Sequence, residues 1–410
     1  MRTSSKNIRS AEYQKAEEYV RSIYETHCPP YSEQRQSEIM EEVGRLAPNV
    51  TLDQEWLERT LERLFKQNPE IHAVTRTEQE WSRVFPRYPE TSDGFVQSFL
   101  PHEHEDIRET LDRYGLVVVQ AFSPEVCNAT IDAMFEEINE QIREMGKDTP
   151  PVHPEQPWTW MDRNWPSRSK FLLSQPAFHP QAFANRVAPD IYNMFAQLWQ
   201  EERLRVTIDN WGIARGSKNL PLPNKQGELE LTEKRRWGKG IKPHWDYNPW
   251  LWSSEEQQGR NPGYQAVIAL NEHRSGMGCH ITLPGGAPFL AQWCKEHSCP
   301  SDLGGKRRSH RPDEEDPIRE YMQEIPLRQG EMVIWSWGQL HATDHNNSDT
   351  IRLHQYIRMF PASEVDPFYE EHDRYAPQRI MRQYSDTVDF DSLELDELGR
   401  KLLGLESWEG

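Results

Sequence analysis

His244 and Asp246, in the stretch Gly240-Ile-Lys-Pro-His-Trp-Asp-Tyr-Asn248, are metal-binding residue types at a spacing that lets them share one ion. In a β-strand residues i and i+2 point to the same face, so the imidazole and the carboxylate can converge. Further along, Gly330-Glu-Met-Val-Ile-Trp-Ser-Trp-Gly-Gln-Leu-His341 ends in a second imidazole, and Arg352 follows it. Two histidines and one carboxylate suit a non-haem Fe(II) that must keep coordination positions open. A buried arginine beside them could hold a carboxylate with its planar fork. A 2-oxoglutarate cosubstrate needs that anchor at its distal end while its keto-acid end chelates the iron. The expected set is therefore His244, Asp246 and His341 on the metal, serving also as the catalytic residues, with Arg352 on the cosubstrate and O2 as co-reactant. A lone His-x-Asp arises by chance in most chains of this length, and the ordered set is what carries the reading.

The elements around these residues must bring two distant segments onto one ion. Alternating apolar strands are expected at 264–270, 279–283, 331–335 and 352–360, with shorter ones at Leu116-Val-Val-Val119 and Leu204–Trp211. Ser123-Pro124 starts a helix over 124–145, with proline at its first position, and another is expected over 182–202. Residues 216–241 and 301–316 read as polar surface loops. Residues 147–165 form an irregular segment with Trp158, Trp160 and Trp165, placed either over the site or in the core. The arrangement fits an α+β protein with a double-stranded β-helix, a jelly-roll or cupin-like core flanked by helices.

Residues 1–95 are expected as a helical N-terminal extension packed on a core domain of 96–375, with 376–410 as a C-terminal tail or helix. In the extension, Thr51-Leu-Asp-Gln54 reads as a capping box, and Leu57, Leu61, Leu64 and Phe65 recur on one helical face.

Composition narrows the function. Lys and Arg number 47 against 66 Asp and Glu, a formal charge of −19, which opposes binding to nucleic acid or to anionic membranes. The expected partner is a small-molecule substrate. Cys28, Cys127, Cys279, Cys294 and Cys299 make no Cys-x-x-Cys pair and no even set, so no disulfide framework or structural zinc is expected. With no apolar N-terminal core and no apolar run of membrane-spanning length, the expected location is cytoplasmic. His102-Glu-His-Glu-Asp106 lacks partner ligands at suggestive spacing and reads as a solvated loop.

The same residues resemble the phytanoyl-CoA dioxygenase-like branch of the Fe(II)/2-oxoglutarate-dependent oxygenases. Gly276-Met-Gly-Cys-His-Ile-Thr-Leu-Pro-Gly285 is similar to that family's Asn-Gly-Cys-Leu-x-x-x-Pro-Gly strand and turn, and Asp112–Gln120 with Phe122-Ser-Pro-Glu resembles its opening strand and helix. The resemblance covers about residues 95 to 365 and implies the jelly-roll fold, Fe(II), 2-oxoglutarate and O2, with hydroxylation, desaturation or oxidative cyclisation as the outcome. It departs at the strand after the His-x-Asp loop, where the family's Trp is missing from Gly263-Tyr-Gln-Ala-Val-Ile-Ala-Leu-Asn-Glu272. Tyr264 and Gln265 are the candidates to face the cosubstrate. His345 with Arg358 is a rival choice of ligand and anchor, and His341 with Arg352 better matches the family's spacing. For the substrate, Lys242, Trp250, Arg215 and Trp211 are the candidates, pairing cations for a carboxylate with aromatic walls. A small carboxylate-bearing, amino-acid-derived or natural-product metabolite fits them. Two other readings share the triad: a cupin-type dioxygenase or isomerase without 2-oxoglutarate, and a non-catalytic jelly-roll binding protein.

Overall fold

The computed structural model describes residues 2–26, 33–67, 78–166, 172–257, 263–301, 303, 306, 308–362 and 373–409. The chain divides into two compact units: Met1–Val84 with Asp246–Asn261 and Phe289–His310, and Phe85–Trp245 with Pro262–Pro288 and Arg311–Gly410.

The smaller unit holds helices α1 (Arg2–Thr26), α2 (Glu33–Leu46), α3 (Gln54–Gln67) and α4 (Glu78–Val84). Val20, Tyr24, Ile39, Val43, Leu57 and Leu64 are buried together at the centre of the first three. This is the apolar face expected from the helical spacing, except that the side chain of Phe65 lies outside the described residues. The cap differs from expectation. Asp53, not Thr51, closes the start of α3, its Oδ1 accepting from Trp56 N at 2.9 Å. A carboxylate one residue before the helix reaches the third amide directly and also favours the positive end of the helix dipole. This unit also takes 246–261 and 289–310 from later in the chain, so the N-terminal extension is not a continuous segment.

The larger unit carries the strands. In chain order they are β1 (Leu116–Gln120), β2 (Leu172–Pro176), β3 (Leu204–Val206), β4 (Asn210–Ala214) and β5 (Leu220–Pro223). Next come β6 (Leu229–Thr232), β7 (Ile241–His244), β8 (Tyr264–Ala269), β9 (His280–Thr282) and β10 (Gln323–Ile325). The last are β11 (Glu331–Ser336), β12 (His341–Thr343), β13 (Arg352–Tyr356) and β14 (Met359–Pro361). A six-stranded sheet has the order β1-β11-β8-β13-β4-β2, and a four-stranded sheet the order β10-β9-β12-β7. All their pairings are antiparallel. From β4 to β13 the chain winds between them: β4 large, β7 small, β8 large, β9 and β10 small, β11 large, β12 small, β13 large. That winding is a double-stranded β-helix.

Side-chain alternation sorts the large sheet's faces. Val117, Val119, Ala266, Ile268, Met332, Ile334 and Leu353 join the main core with helices α6 (Pro124–Glu144), α7 (Pro180–Arg186) and α8 (Pro189–Trp199), while α5 (His104–Tyr114) precedes β1. Leu116, Val118, Val267, Ala269, Val333 and Trp335 lie on the opposite face, with Ile325 of the small sheet. By the same alternation Gln265 of β8 and Arg352 of β13 point to that inter-sheet face, since their neighbours Ala266 and Leu353 join the main core.

Several expected elements are broken in two. Helix 182–202 is interrupted at Ala188, which is extended (φ −56, ψ 131) because Pro189 excludes the α region for the residue before it. Strand 204–211 splits into β3, paired with β14, and β4, paired with β13. Between them lies the buried carboxylate of Asp209. The expected loop at 216–241 contains the hairpin β5–β6. Trp160 and Trp165 are core residues, and Trp158 is partly exposed. The C-terminal segment folds onto the larger unit: Leu402 and Leu403 join its core, and Trp408 Nε1 donates to Leu204 O at 2.9 Å. Of the 301–316 loop, residues 302, 304, 305 and 307 lie outside the described residues. Cys127, Cys279, Cys294 and Cys299 are free thiols, and Cys28 lies outside the described residues. No described helix is long and apolar enough to cross a membrane.

Candidate active site

β7 and β12 pair so that His341 stands directly opposite His244, with ring centroids 4.5 Å apart. Asp246 follows β7 closely, and one ligand atom from each of the three residues lies within 4.8 Å of the others. The backbone sets the tautomers. His244 Nδ1 bonds Lys242 O at 2.9 Å and His341 Nδ1 bonds Gln339 O at 3.1 Å. A carbonyl only accepts, so each Nδ1 carries the proton and each Nε2 the lone pair that a metal takes. The donor set and its orientation fit Fe(II).

The turn before His341 is fixed by Gln339, which is fully buried. Its Oε1 accepts from Ala287 N at 2.8 Å, and its Nε2 donates to Thr282 Oγ1 at 2.9 Å and to Leu283 O. The Gly-acid start of β11 is equally structural. Gly330 has φ +85, and a Cβ there would meet Phe122 O at 2.1 Å, while Glu331 binds Arg328 Nη1 at 2.9 Å.

Arg352, at the start of β13, is 2% exposed, and burial pulls its pKa down. Among the described residues no carboxylate pairs with it, and its one hydrogen bond runs from Nε to His273 Nδ1 at 3.4 Å. A buried guanidinium without a protein counter-charge fits the carboxylate of 2-oxoglutarate. Gln265 lies opposite Trp335 on the inter-sheet face, and its buried Nε2 has no partner among the described residues. Tyr264 points the other way, edge-on to Trp199 at 5.3 Å in the main core. Of the two candidates on β8, only Gln265 faces the space between the sheets. An indole does face that space, but Trp335 of β11 supplies it, 5.2 Å from His341.

The expected substrate residues are scattered. Trp211 is fully buried and donates to Glu137 Oε2, on the helix-covered side. Trp250 packs in the smaller unit against Trp293 at 5.2 Å, its Nε1 donating to His297 O at 2.9 Å. Arg215 is buried, sandwiched by Trp165 and Trp237 at 4.6 and 4.3 Å and paired with Asp162 at 2.8 Å. Lys242 is exposed and paired with Glu314. The rival pair is engaged elsewhere: His345 Nε2 meets Ser217 Oγ at 3.1 Å, and Arg358 binds Asp373 at 2.7 Å and Asp209 at 3.3 Å. His102 and His104 are exposed and join no metal-ligand group among the described residues.

Sequence reasoning missed three buried histidines of the same face: His273, His280 and His354. His354 was within reach of the strand rule, being two residues beyond Arg352.

No family model matches the chain. Over 333 residues it is 23% identical to a Dictyostelium discoideum protein named "Putative phytanoyl-CoA dioxygenase", covering 72% of this chain and 86% of that one. The triad offers a donor set that fits Fe(II), and Arg352 offers a fork that fits a carboxylate. Among solved structures, the "Putative Oxidoreductase from Salmonella typhimurium LT2" shares the fold, with a TM-score of 0.51 at 12% identity over 95% of this chain and 96% of that one. EctD from S. alaskensis, solved with 2-oxoglutarate and 5-hydroxyectoine, aligns with a TM-score of 0.40 at 14% identity, over 67% and 83% of the two chains.

Proposed function

We propose that this protein is an Fe(II)/2-oxoglutarate-dependent dioxygenase of the phytanoyl-CoA dioxygenase-like kind, oxidising an unactivated C–H bond of a small carboxylate-bearing metabolite, either amino-acid-derived or a natural-product intermediate. The product is hydroxylated, desaturated or cyclised, with succinate and CO2 released. The observation that carries the reading is the triad of His244, Asp246 and His341, with both Nδ1 protons committed to backbone carbonyls. When bound, Fe(II) and 2-oxoglutarate supply O2 activation and hydrogen abstraction, and every other task falls to the protein.

His244, Asp246 and His341 would hold the ion, and a three-residue donor set would leave it coordination positions for the cosubstrate and O2. Arg352 fixes the distal carboxylate, and Gln265 Nε2 offers a further donor from the neighbouring strand. The apolar inter-sheet wall of Val267, Ala269 and Val333 keeps bulk water from the pocket and strengthens those charge-assisted bonds. Asp246 keeps a carboxylate where a halide would otherwise need room, which favours oxygen transfer over halogenation. The test is a screen of amino acids, betaines and other small carboxylates for succinate release above the uncoupled background. A substrate that stimulates release only in the presence of Fe(II) supports the reading. Turnover of a metabolite without 2-oxoglutarate consumption would contradict it.

A further inference from the structure

The inter-sheet face of the larger unit buries more polar atoms than the protein satisfies. His354 Nδ1 and Nε2, His280 Nε2, Gln265 Nε2 and Trp335 Nε1 are all buried without a hydrogen-bond partner among the described residues. Leaving a buried polar atom without a partner is unfavourable, so such a cluster on one face calls for a polar ligand that can accept from it. The charge points the same way. Arg352 is the buried cation of this face and has no carboxylate partner among the described residues.

The placement is specific. Arg352 and His354 are i and i+2 on β13, hence on one face, and they stand opposite Ala214 and Gly212 of β4. A Cβ on Gly212 would come within 2.0 Å of His354 Nε2, so the imidazole lies over bare backbone that only glycine provides. His280, on β9 of the facing sheet, stacks on His341 at 5.9 Å and 17° and against Trp335 at 4.5 Å. It therefore stands at the metal end of the pocket. His273 aims the arginine: its Nε2–H is committed to Leu353 O at 3.0 Å, so its Nδ1 accepts from Arg352 Nε at 3.4 Å. That leaves the guanidinium's terminal nitrogens for a carboxylate. Burial, then the Arg352 charge, hold His354 well below the usual histidine pKa. The His354 imidazole is thus a neutral donor and acceptor and adds no second charge.

We propose that His354 and His280 are binding residues for the 2-oxo dicarboxylate, His354 beside Arg352 at the distal carboxylate and His280 at the keto-acid end. The proposal rests on the dioxygenase reading above. His273 is a positioning residue that acts through Arg352.

The test is calorimetric titration of 2-oxoglutarate into the full chain loaded with Mn(II), comparing wild type with His354→Leu, His354→Asn and His280→Leu. Loss of a hydrogen bond to a charged ligand should weaken binding about 10- to 100-fold in each Leu variant, and His354→Asn, which keeps donor and acceptor, should recover most of the loss. 2-Oxobutyrate, which lacks the distal carboxylate, should feel His280→Leu but not His354→Leu. Should a Leu variant fail to fold, the imidazole nitrogen resonances of wild type with Zn(II) give the same answer. Those of His354 should move with 2-oxoglutarate and not with 2-oxobutyrate. Unchanged affinity in both Leu variants, or His354 resonances indifferent to 2-oxoglutarate, would overturn the histidine assignment and leave the dioxygenase reading standing. A wild type that binds Mn(II) but no 2-oxoglutarate would overturn both.

Discussion

Two arginines six residues apart show how this fold separates structure from binding. Arg358 is clamped by Asp373, with Nη1 at 2.7 Å and Nη2 at 3.0 Å, and meets Asp209 at 3.3 Å. Burial pushes the Asp209 carboxyl up, while Arg358 and Arg186 pull it back. That region is closed, with a protein carboxylate for each need of its cation. Arg352 is more deeply buried, yet among the described residues its one hydrogen bond goes to the neutral His273. A residue type and its burial therefore do not mark a site; the missing counter-charge does. The same contrast decides between the two ligand–anchor pairs open in the sequence, because Arg358 is already occupied.

The comparison can be broken at either arginine, and Arg358 should give the larger effect. Arg358→Gln leaves Asp209 and Asp373 buried without their cation, and thermal or urea unfolding should show a loss of about 3–5 kcal/mol. Its affinity for 2-oxoglutarate should stay within about twofold of wild type, since additivity holds for separate sites. Arg352→Gln should do the reverse. Its 2-oxoglutarate dissociation constant should rise on the order of 100-fold, matching the cost of about 2–5 kcal/mol for truncating one partner of a buried charge pair. Its melting temperature should hold or rise, because no protein carboxylate is stranded. A large stability loss in Arg352→Gln, or a cosubstrate defect in Arg358→Gln, would erase the distinction.

Gln339→Ala sharpens the metal side. It removes the side-chain bonds that hold the turn whose carbonyl orients His341, and Fe(II) affinity should fall about 10- to 100-fold, as for other partners behind a metal ligand. Equilibrium dialysis with Fe(II) checks this, and an unchanged affinity would show that β12 holds the ligand without the turn. The smallest effect belongs to Lys242→Ala. Its exposed pair with Glu314 is of the kind that contributes about 0–1 kcal/mol, so stability and cosubstrate binding should barely change. A marked rise in KM for a carboxylate substrate would instead place Lys242 at the substrate.

The convergence of His244, Asp246 and His341 was legible in the sequence because strand alternation is a strict rule: His244 and Asp246 are two apart, and Arg352 opens a clearly apolar strand. The jelly roll followed from short strands and the order of the motifs. Other features needed three dimensions. His280 and His354 sit in apolar strands, where a lone histidine reads as core, and only the folded structure shows that His280 Nε2 and both His354 nitrogens lack partners among the described residues. Trp335 took the aromatic position expected on β8 because its strand is the register neighbour of Gln265. The aromatic residues near the metal motif misled for the opposite reason: proximity in sequence placed Trp250 beside Asp246, yet its indole packs against Trp293. The units were illegible too, since no composition shift marks 246–261 or 289–310 as partners of the N-terminal helices.

The most direct measurement is anaerobic titration of the apo-protein with Fe(II) and then 2-oxoglutarate, following the weak visible charge-transfer band of the chelate. The account predicts that the band appears in wild type and is absent from His341→Ala. Bound iron with no band on adding 2-oxoglutarate, or an equal band in His341→Ala, would contradict it.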